Sequence, residues 1–305
     1  MENKFTFVEL QKDATEHIAA PHYSYWKSVF RRFFSSKVAI IMLVISLAVI
    51  LMSIIQPMFS GYVAGLNPNI NDQSLRYLDM SFEHPFGTDG YGNDVFDAVW
   101  AGTRTSLFIS FVVTTITTVI GTIVGMFWGY SKKMDAIMLE IYNVVANVPF
   151  TLLVMVLMYV LGGGLWQLIF ALSCTSWLGV AYFIRVQVMI IRDREYNLAS
   201  RCLGTPTTKV LIHNILPYLI SVLVTSISRD IPSYISYEVF LSYLGVGLNA
   251  ETASLGRLIQ EHSGYMTSKP HIFWLPVFVC ALISVSLYIV GQTLADASDP
   301  RTHMM

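Results

Sequence analysis

Charge is what this sequence has least of. Asp, Glu, Lys and Arg make up 13% of its 305 residues, about half of the roughly 25% usual in soluble domains. A solvated surface all round is therefore excluded. Hydrophobic residues reach 54% and the mean hydropathy is +0.56. The formal net charge is −1, which leaves no whole-chain excess of base for nucleic acid. Cysteine is scarce too. Cys174, Cys202 and Cys280 are far apart and odd in number, so no disulfide framework or metal spacing is visible, and they read as small apolar thiols. The phosphate-cradling pattern G-x-x-x-x-G-K-[ST] is absent, as are H-E-x-x-H, C-x-x-C and G-x-S-x-G. The expectation is a chain with no catalytic, cofactor or metal site of its own. Neither a cleavable signal peptide, an internal repeat nor a low-complexity linker is evident.

What the sequence does have is apolar runs. Val38 to Gln56 is nineteen residues without a charge, or ~29 Å of helix, enough to cross the hydrocarbon core. The pattern predicts six spans, at about 38–56, 106–130, 136–161, 165–190, 218–244 and 272–294, in an all-α polytopic membrane domain covering 38–301. A polar, then aromatic and basic segment (1–37) precedes them, and a short tail (302–305) follows. Trp26, Phe30 and Phe33 fall at helical spacing beside Lys27 and Arg31, which suits either an interfacial amphipathic helix or a plain basic flank. In the second span Gly121, Gly125 and Gly129 form a GxxxGxxxG row, a face on which helix backbones can approach closely. The third span holds Asn143 and Asn147 on one face, with Pro149 expected to kink it. The fifth holds Arg229, Asp230 and Glu238. Charges at bilayer depth face a partner or water, so these are candidates for a translocation path or a subunit interface. Glu238 lies either in the bilayer or near its outer surface, depending on where the fifth helix ends.

The basic residues orient the chain. Fourteen of the 19 Lys and Arg fall in the N-terminal segment, the loop at 131–135, the stretch 185–213 and the tail. The opposite side holds Arg76, Arg104, Arg257 and Lys269, and Arg229 lies inside the bilayer. The positive-inside rule then puts both termini and the 191–217 stretch in the cytoplasm, and the acidic loop 57–105 outside.

The stretch Ile191 to Pro217 is a polar island between long apolar runs. Asp193 to Leu203 has neither Gly nor Pro and suits about three helical turns. Gly204 is placed to end that helix in a left-handed conformation. Thr205 and Pro206 suit the start of a second helix. Tyr196, Ala199 and Leu203 share a face of the first, with Leu198 and Cys202 beside it. By spacing alone this is also what an ordinary basic cytoplasmic loop looks like.

Glu195-Tyr196, Ala199, Arg201, Leu203-Gly204 and Ile215-Leu216-Pro217 resemble the EAA loop of ABC importer membrane subunits. The strict triplet stands here as Leu198-Ala199-Ser200 with the acid at Glu195, an arrangement similar to the peptide-importer branch, though Tyr218 stands where that branch usually has Asn. The string His84-Pro85-Phe86-Gly87-Thr88-Asp89, with Gly92 and Asp94, resembles the H-P-F-G-T-D-x-x-G-x-D motif of dipeptide and oligopeptide permeases, with Asn93 at a position where Arg is common. Its turn chemistry lacks calcium-loop spacing. Phe240 to Gly247 and Asp296-Ala297 with Asp299-Pro300-Arg301 resemble two further segments of the C-type subunit of that branch. The resemblance implies a type I ABC importer permease fold in a bacterial cell membrane. It also implies a second homologous permease, two cytoplasmic ATPases that bind the ATP and Mg, and an extracytoplasmic peptide-binding protein. Glu195, Tyr196, Leu198, Ala199, Ser200, Leu203 and Gly204 would then form the ATPase-coupling helix. Alternatives are the same architecture carrying nickel chelates, glutathione or heme-like cargo, or an ion-gradient-driven carrier, which needs no such helix.

Overall fold

The computed structural model describes residues 25–66 and 72–298. Residues 1–24 and 299–305, including the expected Asp299-Pro300-Arg301 ending, lie outside them. Among the described residues the fold is all-α, with one isolated bridge between Thr88 and Asp94. The helices are α1 (Tyr25–Phe33), α2 (Lys37–Phe59), α3 (Val95–Tyr130), α4 (Lys132–Ala146), α5 (Phe150–Leu161), α6 (Leu165–Ile191), α7 (Glu195–Cys202), α8 (Thr207–Val210), α9 (Leu216–Tyr243), α10 (Leu255–Glu261) and α11 (Pro270–Ser298). A π turn, Leu211–Ile215, joins α8 to α9. Five of these elements are long and apolar enough to cross a membrane: α2, α3, α6, α8 to α9, and α11.

The third expected span is not one helix. α4 and α5 meet at an angle of 81° across Asn147, Val148 and Pro149. At ~22 Å and ~18 Å neither half reaches across the ~30 Å core alone; only the bent pair makes a sixth span. Pro149 offers no N–H and pushes Val148 out of the α region, so the ladder cannot continue through it.

The second span also departs from expectation. α3 starts eleven residues before Ser106, at Val95, and runs for 36 residues, ~54 Å, so it stands well clear of the hydrocarbon. Asp97 and Arg104 interrupt the apolar pattern without interrupting the helix. Asp94 caps it, accepting a hydrogen bond from Phe96 N at 2.7 Å. Gln56 of α2 hydrogen-bonds Asp97. With α2 continuing through Pro57 to Phe59, the outer segment shrinks from the expected 57–105 to 60–94.

α3 makes its most extensive contact with α6, along the glycine row. A Cβ at Gly121 would lie 2.6 Å from Val180 Cβ, at Gly125 2.5 Å from Ala181 O, and at Gly129 2.6 Å from Arg185 O. Hydrocarbon lipid supplies no hydrophobic drive between spans, so this close approach supplies dispersion instead. α4 is tied onto α6 through a polar anchor. Arg185 pairs with Asp135, which also accepts from Trp128 Nε1 at 2.8 Å, and the guanidinium lies 5.6 Å from the Trp128 ring centre.

The described residues 72–94 fold as a cap on the start of α3. His84 Nδ1 and Asp94 Oδ2 are 2.9 Å apart, and Asp89 Oδ1 accepts from Tyr91 N and Asn93 N at 2.8 and 2.9 Å. Buried Thr88 donates to Leu75 O at 2.6 Å. Gly87 has φ +75°, and a Cβ there would lie 2.6 Å from Leu78 O, so the motif needs glycine for both reasons. Among the described residues no group of His, Cys, Asp and Glu could hold a metal. α1 divides its aromatics differently from the expectation: Phe33 turns inward with Val29 toward Ala297, while Trp26 and Phe30 stay exposed.

Candidate coupling and translocation site

The polar stretch 191–217 centres on α7, a short helix held to the fold from one side. Asn197 is fully buried. Its Nδ2 donates to Ile191 O at 2.9 Å, at the end of α6, and its Oδ1 accepts from Asn214 Nδ2 at 3.0 Å, in the π turn. Asn214 also reaches Ser200 Oγ at 3.3 Å. Arg201 stacks 5.5 Å from the Tyr130 ring centre at the end of α3, and Arg192 Nη1 donates to Gly129 O at 2.7 Å. One 8-residue helix is thus clamped to the ends of α3, α6 and α9 by polar groups.

The opposite face is bare. Tyr196, Leu198, Ala199 and Leu203 are exposed, Leu203 at 86%. Glu195 is exposed beside them, and Ser200 is the member of the expected coupling set that turns toward the fold. An apolar face on a firmly held helix in a polar loop is suited to covering by another protein. α7 ends in a complete Schellman motif. Gly204 has φ +75°, Thr205 N donates to Ser200 O at 3.1 Å, and Gly204 N donates to Arg201 O at 3.0 Å.

The second helix of the stretch does not stop at Pro217. It starts at Thr207 behind Pro206, with no side-chain cap from Thr205, and runs through the π turn into α9. Leu216 N bonds Leu211 O, and this wider turn leaves room for the Pro217 ring where an α turn would drive it into the carbonyl four residues back. α8, the π turn and α9 therefore form one uninterrupted helical run, and only the Gly204 turn separates it from α7.

On α9 the side chains at Tyr218, Thr225, Arg229, Ser233, Ser236, Phe240 and Tyr243 repeat at helical spacing, and all but half-buried Thr225 are exposed. A mid-bilayer charge facing lipid costs at least ~2.5 kcal/mol even on the lenient insertion scale, so a stripe of hydroxyls around an arginine belongs against water or protein. Arg229 and Asp230 form no ion pair within 4 Å. Asp230 Oδ2 instead accepts from Ser226 Oγ at 3.2 Å. Glu238 is elsewhere. It is fully buried, accepting from Ser106 Oγ at 2.5 Å and Ser242 Oγ at 2.8 Å, while Leu255 N donates to Ser106 Oγ at 3.3 Å. It joins α3, α9 and the start of α10 and reaches no open surface of this chain. Asn143 and Asn147 are exposed on α4, with Asn147 Nδ2 donating to Asn143 O at 2.5 Å.

Residues 118–304 match the family model described as the binding-protein-dependent transport system inner membrane component, and residues 24–79 that of the N-terminal TM domain of oligopeptide transport permease C. The chain belongs to this family of transport-system membrane components. Among its relatives is the oligopeptide transport system permease protein AmiD of Streptococcus pneumoniae (strain ATCC BAA-255 / R6), 51% identical over 98% of this chain and 97% of that protein. Another is the oligopeptide transport system permease protein OppC of Bacillus subtilis (strain 168), 34% identical over 94% of this chain and 93% of that one. The fold is similar to an inward-facing MetNI methionine ABC transporter chain, with TM-score 0.52 and 19% identity over 66% of this chain and 96% of that chain. As an inner membrane component the chain is a multi-pass transport subunit.

Sequence patterning missed the Asn197–Asn214 clamp, the Asp135–Arg185 anchor and the α9 stripe. The stripe had a readable signal, because Thr225, Arg229, Ser233 and Ser236 are spaced as one helical face. The two pairs did not, since the members of each are far apart in the chain.

Proposed function

We propose that this chain is the membrane-spanning permease subunit of an ATP-driven oligopeptide importer in a bacterial cell membrane, with both termini and α7 in the cytoplasm. It forms half of the path together with a second permease of similar fold. Two cytoplasmic ATPases, which bind ATP and Mg, dock on α7, and an extracytoplasmic binding protein delivers peptide to the outer side. The chain itself catalyses nothing and holds no cofactor. The observation that carries this reading is the exposed apolar face of α7 on a helix clamped to three spans. A pair of ATPases closing on that face would pull on α9 through the Gly204 turn and the unbroken α8 to α9 run, and α9 carries the polar stripe. The relatives' names supply the peptide class. An ion-driven carrier would have no use for the bare α7 face. Affinity purification of this chain from native membranes should bring down a second permease and soluble ATPases, and the reconstituted complex should take up radiolabelled oligopeptide only with ATP and binding protein. Recovery of this chain without any ATPase, or uptake driven by an ion gradient alone, would contradict the reading.

A further inference from the structure

We propose that Arg229 is a binding station inside the membrane for the carboxylate of the cargo; the proposal rests on the oligopeptide reading above. α9 runs from Leu216 to Tyr243. Arg229 is thirteen residues from one end and fourteen from the other, ~20 Å from each. The half-thickness of the hydrocarbon is ~15 Å, beyond what an arginine side chain spans, so with α9 centred in the bilayer the guanidinium is too deep to snorkel to either surface. It is nevertheless exposed on this chain, and among the described residues it has no hydrogen-bond or ion-pair partner. Asp230 beside it feels the Arg229 charge without pairing within 4 Å, and its Oδ2 accepts from Ser226 Oγ.

Arg229 lines a cleft of about 830 Å³ with Gln187, Ser221, Thr225 and Gln292, a size that accommodates a small ligand. These neutral donors and acceptors suit peptide amides. The acid of the cleft, Asp296, accepts from Gln292 Nε2 at 3.1 Å. Gly291 packs against Ser228, so Asp296 lies roughly 7 Å further along α11, toward the start of α9, and does not occupy the Arg229 fork. Arg194, at the start of α7, lines the same cleft. A guanidinium stays charged at any working pH and presents two parallel donors to a carboxylate. A free peptide carries such a group at its C-terminus whatever its sequence, which makes this contact independent of side chains. The occupant is therefore the terminal carboxylate of a peptide, held at Arg229 and released toward Arg194.

The test uses the assembled complex of this chain with its partner permease and ATPases in nanodiscs, without binding protein. An N-terminally dye-labelled hexapeptide is titrated as the free acid and as the C-terminal amide, read by anisotropy. The wild-type complex is expected to bind the acid at least 5-fold more tightly. Arg229→Gln should weaken the acid to the level of the amide and leave the amide unchanged, and Arg229→Lys should retain part of the preference. No preference in the wild type, or equal weakening of both peptides by Arg229→Gln, overturns the proposal. So does dissociation of the two permeases in both variants, which would make Arg229 an interface residue. Uptake by wild-type proteoliposomes with binding protein and ATP separates the two levels: if neither peptide enters, the oligopeptide reading itself is wrong.

Discussion

Replacing Asn197 by Ala would remove two hydrogen bonds at once, leaving the Ile191 carbonyl with Arg194 N alone and the Asn214 amide with Ser200 alone. At ~0.5–1.5 kcal/mol each, the two together are on the order of the whole stability of a short surface helix. Asn197→Ala is therefore expected to leave the spans assembled but to raise amide exchange across 194–203 by at least tenfold. Unchanged exchange would show that α7 is held by its flanking arginines alone. Glu238 calls for a pair of variants. Glu238→Gln keeps shape and hydrogen bonding to Ser106 and Ser242, so complex yield should stay within twofold. Glu238→Ala opens a void and frees buried hydroxyls, costing ~2–5 kcal/mol, and should loosen α10. If both variants transport poorly while assembling normally, Glu238 acts in transport after all. His262, between α10 and the turn at Ser263–Tyr265, is buried, and burial holds its pKa below the usual 6.5 against the nearby Asp89 and Glu261 charges. Burial in the fold thus favours the neutral imidazole. Its contribution is present above pH 6.5 and is lost as pH falls through the depressed value, because the unfolded side chain takes up the proton first. Exchange across 255–265, corrected for intrinsic rate, should accelerate below about pH 6, and His262→Leu should abolish that acceleration.

At the scale of elements, the α3–α6 contact depends on the absence of side-chain atoms at three places. Gly125→Ala would put a methyl 2.5 Å from the Ala181 carbonyl, and backbone cannot yield as a flexible side chain can. Separation of the helices should cost ~1–3 kcal/mol. Gly179, in α6, has nothing within 4 Å of its would-be Cβ, so Gly179→Ala should be neutral or stabilising. The two variants compared by thermal unfolding of the purified complex check the claim; equal melting temperatures would refute it. This face was legible because glycine at a spacing of four is a strong signal in an apolar helix. The long apolar helices were legible too, since uncharged runs of sufficient length have few other uses. Boundaries were less so. Asp97 and Arg104 look like loop residues, yet they sit in a helix that projects beyond the lipid, where charge is harmless. Pro149 announced a kink, but sequence alone does not say whether neighbouring helices will hold the halves straight or at 81°. Gly204 and its left-handed turn were read directly, because only residues without a Cβ adopt φ near +75° cheaply. Asn197 escaped notice because polarity in a polar loop carries no pattern; burial by Asn214 exists only once the chain has folded.

For the whole molecule, α8, the π turn and α9 form one helical run, joined through the Gly204 turn to the bare face of α7 and carrying the polar stripe further along. Its orientation is testable without function. In a background lacking Cys174, Cys202 and Cys280, a cysteine at the fully exposed Phe82 should react with an impermeant thiol reagent from outside, and one at Arg194 should not. Reversed labelling would invert the topology. Coupling is the central claim, and cross-linking reaches it most directly. In the same background, with Ala199→Cys on this chain and single cysteines across the candidate ATPase surface, a disulfide to the ATPase should form whose yield changes between the nucleotide-free and ATP-trapped complex. Gly204→Val, which forces a Cβ into φ +75° at ~1–2 kcal/mol, should leave that cross-link formed but abolish stimulation of ATP hydrolysis by peptide-loaded binding protein. If no Ala199→Cys cross-link to any soluble subunit forms in any nucleotide state, and Gly204→Val hydrolyses ATP and transports as the wild type does, α7 is not the coupling element.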